Sequence, residues 1–250
     1  MGESGELFSF IISSDFSAFR KFDTGGDYYL TYYFIPRPTV LGILGSIIGL
    51  KKSAKDMLPW WEELKNTKIG VEPLNINLIK HFVAYNNSTG AASQTEKNGG
   101  GQTLVIKEQI LINPAYRIYV EINEKTEGIF ELLKTKKSIF TPYLGKNEFK
   151  AQISEVKKHK FVNFEGVSKI DSIYPSFLGE AKNRSTIWLD KGGEIVQIFE
   201  SHPYTYYNNK YKQFVFVFSS HEIDTKMVTS PIKGEFVRVD DRKVIYLYGG

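Results

Sequence analysis

The chain has 250 residues, 42% of them hydrophobic, enough for one large domain or two modest ones around a real core. It contains no cysteine, which excludes disulfides and cysteine-based metal sites or nucleophiles. Net charge is only +4 with a pI near 8.9, so any nucleic-acid surface has to be local rather than global.

The first six residues, Met1-Gly2-Glu3-Ser4-Gly5-Glu6, are acidic where a secretory signal would be basic. Residues 6 to 14, with Leu7, Phe8, Phe10, Ile11 and Ile12, read as a first strand. An aromatic, charged loop follows at Asp15-Phe16-Ser17-Ala18-Phe19-Arg20-Lys21. Next comes Pro36-Arg37-Pro38-Thr39 leading an apolar stretch to Leu50, which predicts a helix with proline in its first turn. Gly42, Gly45 and Gly49 share one face of that helix, each at about 1 kcal/mol of propensity relative to alanine. Such a face is expected to press against another backbone. Arg37 stands beside the positive end of the helix dipole, where free N–H groups can hold a phosphate. Val40 to Leu50 is far short of the roughly 20 residues that span a bilayer, and Lys51-Lys52 closes it. A cytoplasmic protein with no membrane partner is expected.

Residues 56 to 65, with Trp60 and Trp61, suit a short helix or an irregular connection. Ile79 to Tyr85 is aromatic and β-branched and reads as a strand. From Asn86 to Gln102 the chain is mostly Gly, Ser, Asn and Thr, without core-forming capacity. Thr103–Ile112 and Tyr116–Ile122 are strand-like and are split by Asn113-Pro114. Asn123 to Ser138 predicts a second helix with Ile129, Leu132 and Leu133 on its apolar face and lysines at its end. A glycine turn at Gly145 leads into a strand from Phe149 to Val156. In order, these elements make the α+β, ferredoxin-like βαββαβ pattern, assigned to residues 1–156. Beyond Lys157 the texture is β-rich: a hairpin over Ile187–Val196, and strands at Phe214–Phe218, Phe236–Val239 and Val244–Tyr248. Residues 157–250 are accordingly expected to form a smaller module packed on the first.

The motifs of common catalysts are missing. The four histidines are scattered, with no His-Glu-x-x-His spacing, and the glycine pairs lack the context of a P-loop or a dinucleotide fingerprint. No Gly-x-Ser-x-Gly elbow occurs. No cofactor or metal is expected. Basic residues do interleave with aromatics around Arg20-Lys21-Phe22, Arg37-Thr39 and Tyr143-Lys146-Asn147, the combination that grips phosphates and stacks unpaired bases.

Two blocks carry a resemblance. The first is the opening strand, the Asp15–Lys21 loop and the proline-led glycine helix; the second is Thr141-Pro142-Tyr143-Leu144-Gly145-Lys146-Asn147-Glu148-Phe149. Together they resemble the CRISPR-associated RAMP (repeat-associated mysterious protein) family, in particular the Cascade subunit that caps the 5′ handle of crRNA. The second block looks like the glycine turn of type I-B relatives. The resemblance covers the first 150 residues and is loose beyond them. It implies a ferredoxin-like domain with a β-hairpin thumb at about 83–108. It also implies a hooked crRNA handle held at Arg20, Lys21, Arg37, Thr39, Tyr85, Lys107, Tyr143, Lys146 and Asn147. Contacts with the Cascade backbone and large subunits would follow, with target DNA met through the assembled complex. The alternative is a metal-independent endoribonuclease maturing crRNA, as type I-C relatives do with Tyr, Lys and His. Here Lys80, His81 and Tyr85 would supply those groups. On one strand, however, Lys80 should point away from His81 and Tyr85.

Overall fold

The computed structural model describes residues 4–22, 24, 28–51, 58–76, 79–88, 103–176, 185–192, 194–207 and 210–249. The chain opens with β1 (Ser4–Ser13), whose alternation serves two interiors at once. Phe8, Phe10 and Ile12 enter the large core, while Leu7 packs with Tyr119, Phe161, Val237 and Ile245 in a second cluster. The two-residue strands β2 (Phe16–Ser17) and β3 (Tyr28–Tyr29) follow, then α1 (Arg37–Ile47) and α2 (Pro59–Leu64). Pro36 takes the N-cap position of α1 and Pro38 sits in its first turn, as the sequence predicts. The helix ends in a Schellman arrangement: Leu50 N–H donates to Gly45 O at 2.9 Å and Gly49 N–H to Ser46 O at 3.3 Å. Gly49 is thus the left-handed residue of that turn, at φ 78°, rather than part of a helical glycine face.

Gly42 and Gly45 do face a neighbour, and it is α2. A β-carbon on Gly45 would lie 2.6 Å from Trp60 Cβ and 3.6 Å from Trp60 Cα, so the two helices meet nearly backbone to backbone there. At Gly42 the nearest atom, Trp60 Cε2, is 3.9 Å away, an ordinary contact.

After β4 (Ile69–Pro73), strands β5 (Ile79–Ser88) and β6 (Thr103–Ile112) pair antiparallel as a long hairpin, from Ile79 opposite Ile112 to Ser88 opposite Thr103. Residues 89–102, expected to form the thumb tip, lie outside the described residues. β7 (Ala115–Glu121) leads to α3 (Glu127–Lys134), which is shorter than the sequence suggests. Asn123 Oδ1 accepts from Lys125 N–H and Thr126 N–H, holding residues 123–126 in a turn, and Lys136 at φ 54° ends the helix. β8 (Gln152–Asn163) returns beside β1.

The remaining strands are β9 (Val167–Lys169), β10 (Tyr174–Pro175), β11 (Ser185–Leu189), β12 (Ile195–Tyr207), β13 (Lys210–Ser219), β14 (Glu222–Asp224), β15 (Gly234–Val239) and β16 (Lys243–Tyr248). A closed barrel runs β1-β7-β4-β16-β15-β8; a second sheet runs β10-β13-β12-β11. Antiparallel pairing therefore gives the order β8-β1-β7-β4, with α1 between β1 and β4 and α3 between β7 and β8.

Two expectations are corrected here. The main-sheet strand expected at Ile79–Tyr85 is one arm of the hairpin, and its place is taken by Ile69–Pro73. The expected boundary at 156/157 falls inside β8, and β15–β16 complete the N-terminal barrel instead of standing in a separate module. The second sheet shares one continuous core with β1 and α1 through Phe214, Val215, Phe216 and Phe218. Among the described residues no helix is long and apolar enough to cross a membrane.

Candidate nucleic-acid interface

An open cleft of about 490 Å³ lies beside the start of α1. Its walls come from three places: the loop after β1 (Ala18, Arg20, Phe22), the first two turns of α1 (Pro38, Thr39, Gly42) with Trp60, and the loop carrying Tyr143 and Gly145. Pro203 and Tyr211 close it from the second sheet. Phe22, half exposed, lies flat on Tyr211 with ring centroids 4.5 Å apart and planes 3° apart. Arg20 places its guanidinium 3.5 Å from the centre of the Tyr29 ring. Among the described residues no side chain caps the N-terminus of α1, which opens beside the cleft at Pro38 and Thr39. A cation, flat rings and an uncapped helix start make a surface suited to single-stranded nucleic acid.

Gly145 fixes the third wall. Its φ is 91°, and a β-carbon there would overlap the Ala18 carbonyl, while Ala18 N–H donates to Leu144 O at 3.1 Å. The loop thus crosses directly over the Asp15–Arg20 segment. Its far side reaches the hairpin: Lys146 Nζ is 2.6 Å from Glu108 Oε2 and 4.9 Å from the Tyr85 ring centre. Burial alone would lower the Lys146 ammonium, but Glu108 outweighs it and the pKa is raised.

The residues expected from sequence separate into three groups. Arg20, Thr39 and Tyr143 come together in the cleft. Tyr85 and Lys146 meet on one face of the hairpin, while Lys107, paired with Ala84, takes the other face with its Nζ 3.2 Å from Tyr28 Oη; Asn147 is exposed at the turn after Lys146. Arg37 and Lys21 are corrections. Arg37 is fully buried, and its guanidinium donates to the carbonyls of Lys65 (2.6 Å), Thr67 (2.9 Å) and Tyr204 (3.1 Å). Burial lowers its pKa to about 10, so it stays charged while satisfying carbonyls beyond the end of α2, with no face left for a phosphate. Lys21 turns inward to Glu200, 3.2 Å from Oε1.

Lys80 also turns inward. Its ammonium donates to Thr31 O at 2.7 Å, sits 3.3 Å from the Tyr33 ring centre and 3.8 Å from Glu200, whereas His81 and Tyr85 are exposed. Burial pulls the Lys80 pKa down to about 8 against the attraction of Glu200. A Ser-His-Asp chain does occur elsewhere: Ser9 Oγ is 2.8 Å from His159 Nε2, and His159 Nδ1 is 2.6 Å from Asp240 Oδ2. Ser9 is fully buried on β1, so this chain ties β1 to β8 and to the turn after β15.

Sequence reasoning marks Phe22 and Trp60 only as members of aromatic runs and misses Tyr211 and Pro203. These two reach the cleft from the second sheet, far along the chain from Arg20 and Thr39, so no local pattern announces them.

The family model described as CRISPR-associated protein (Cas_Cas5) matches residues 12–213, a span that contains the whole cleft lining. The chain belongs to this family. Three solved structures illustrate what this Cas_Cas5 protein is similar to. One chain of a "CRISPR RNA-guided surveillance complex" is 12% identical, at TM-score 0.48, covering 89% of this chain and 94% of its own. A CRISPR protein from Archaeoglobus fulgidus is 15% identical, at TM-score 0.48, over 98% and 100% of the two chains. A chain of the type III-B Cmr-beta complex bound to cognate target RNA and AMPPnP is 11% identical, at TM-score 0.47, over 88% and 86%. No curated protein matches the sequence.

Proposed function

We propose that this Cas_Cas5 protein is a non-catalytic, RNA-binding subunit of a type I Cascade surveillance complex, of the I-B kind, acting in the cytoplasm. It caps the 5′ handle of crRNA. The observation that carries the reading is the family match across 12–213, which encloses a cleft lined by Arg20, Phe22, Thr39 and Tyr143. In this reading β8-β1-β7-β4 is a ferredoxin-like sheet, extended to a barrel by β15–β16, and the β5–β6 hairpin is the thumb. The cleft holds handle phosphates at Arg20 and the start of α1, and stacks an unpaired base against the Phe22–Tyr211 pair. The hairpin, with exposed Phe82, Tyr85 and Lys107, faces the neighbouring backbone subunit and RNA, and the large subunit and target DNA join in the assembled complex. Leaving cleavage to another enzyme is supported by Lys80, which is held in the interior and points away from His81.

The test is incubation of the purified protein with labelled repeat RNA in EDTA. Binding without cleavage, weakened by Arg20→Ala, is expected. Metal-independent cleavage would select the endoribonuclease, and absence of binding by both the free subunit and the assembled complex would sink the reading.

A further inference from the structure

Directly behind the cleft wall lies a buried charged node that touches the loop after β1, the segment entering α1 and the base of the hairpin. Glu200 of β12 is fully buried. Its Oε2 accepts from the backbone N–H of Tyr33 at 2.7 Å, from that of Phe34 at 3.3 Å, and from His202 Nε2 at 2.8 Å. Its Oε1 faces Lys21, from the cleft loop, at 3.2 Å and Lys80, from the base of the hairpin, at 3.8 Å. Tyr33 and Phe34 belong to the short segment that delivers Pro36 and the start of α1 to the cleft. His202 stacks on Tyr32, 4.8 Å between centroids, and both Tyr32 and the next residue, Pro203, line the cleft.

A single carboxylate therefore holds the entry to α1, the cleft loop, the cleft floor and the hairpin base in one register. We infer that Glu200 is the positioning residue of the RNA cleft, acting through Lys21, Lys80 and the Tyr33–Phe34 backbone without touching RNA itself. A buried carboxylate left in a fold after its desolvation cost is held by several charge-assisted bonds, and such bonds fix geometry more strongly than neutral ones. Burial would raise the Glu200 carboxyl, but His202, Lys80 and Lys21 outweigh it and hold it below the usual carboxylate range, so it is ionised at neutral pH. Burial lowers His202 against the pull of Glu200; it is neutral and donates Nε2–H. Tyr116, whose hydroxyl donates to Tyr33 O at 2.5 Å, closes the node from β7 and stays protonated because burial, aided by Glu200, raises it.

This inference rests on the RNA reading of the cleft, and Glu200→Gln tests it with opposed expectations. The variant removes a negative charge from behind the cleft, so simple electrostatics predicts tighter RNA binding. Loss of positioning predicts weaker binding, by roughly tenfold for the labelled repeat RNA, with faster amide exchange at Tyr33 and Phe34 than in the parent and unchanged exchange across β1 and β7. Unchanged or tighter binding, or exchange at Tyr33 and Phe34 equal to the parent, overturns the inference. Should Glu200→Gln not fold, Glu200→Asp keeps the charge but withdraws the carboxylate by one methylene, and the same two measurements decide. A parent that bound no RNA would sink the proposed function instead, and the local exchange comparison would then decide whether Glu200 positions this wall.

Discussion

Gly145 crosses the backbone of Ala18 so closely that a β-carbon on it would overlap the Ala18 carbonyl oxygen. The loop bearing Tyr143 and Lys146 and the loop bearing Arg20 are consequently one unit. Gly145→Ala has to relieve both that overlap and a positive φ, so it should destabilise the fold by more than about 1 kcal/mol. RNA affinity should fall as well, because Tyr143 and Arg20 separate. A melting curve and a binding isotherm equal to the parent's would show that the crossing relaxes freely.

The two glycines on α1 are expected to behave oppositely. Gly45→Leu drives a side chain into Trp60 of α2 and should cost about 1–3 kcal/mol through overpacking. Gly42→Ala meets its nearest atom at 3.9 Å and gains helix propensity, so it should stabilise by up to about 1 kcal/mol. Thermal denaturation of the pair separates this from a uniformly crowded face, on which both substitutions would be harmful.

Arg20 and Arg37 divide in the same way. Arg20→Ala should leave the melting temperature within error and lower the salt dependence of RNA binding by roughly one phosphate. Arg37→Ala strands the buried Thr67 carbonyl and the half-buried carbonyls of Lys65 and Tyr204, and should destabilise by about 3 kcal/mol or more. A folded Arg37→Ala with a reduced salt slope would return that arginine to the interface.

Much of the fold is legible because long strands carry their own period. Thr103–Ile112 and the hairpin arms at 236–239 and 244–248 stand where alternation and β-branching put them. β4 is illegible for the opposite reason. Ile69-Gly70-Val71-Glu72-Pro73 contains a glycine, a proline and a charge, and becomes a strand only because β7 and β16 flank it. Glu72 is then satisfied inside by Tyr119 Oη at 2.7 Å and by Lys243. The cleft is half legible. Sequence spacing puts Arg37 beside a helix dipole, but the direction of its side chain is set by carbonyls of Lys65 and Tyr204, one of them 167 residues distant. The same holds for Lys21 and Lys80, whose partner Glu200 lies in a sheet that no local pattern connects to them.

Lys80 makes that buried node visible to pH. Its folded-state pKa is about 8, against an ordinary 10.5, because burial outweighs the attraction of Glu200 while Lys21 adds repulsion. Between those two values the unfolded chain binds more protons at this site than the folded one, so stability attributable to Lys80 rises with pH through the window from about 8 to 10.5. Below pH 8 both states are protonated and the folded state carries the full desolvation penalty of the ammonium. The gain across the whole window is on the order of 3 kcal/mol. Lys80→Met keeps the length of the side chain, removes the proton and should abolish this rise. Urea denaturation of parent and variant at pH 7 and pH 9.5 measures it directly: the stability difference between them should move in the parent's favour at the higher pH. A difference that is constant across that range would mean that Lys80 titrates like an exposed lysine and that its ammonium is solvated in the folded protein.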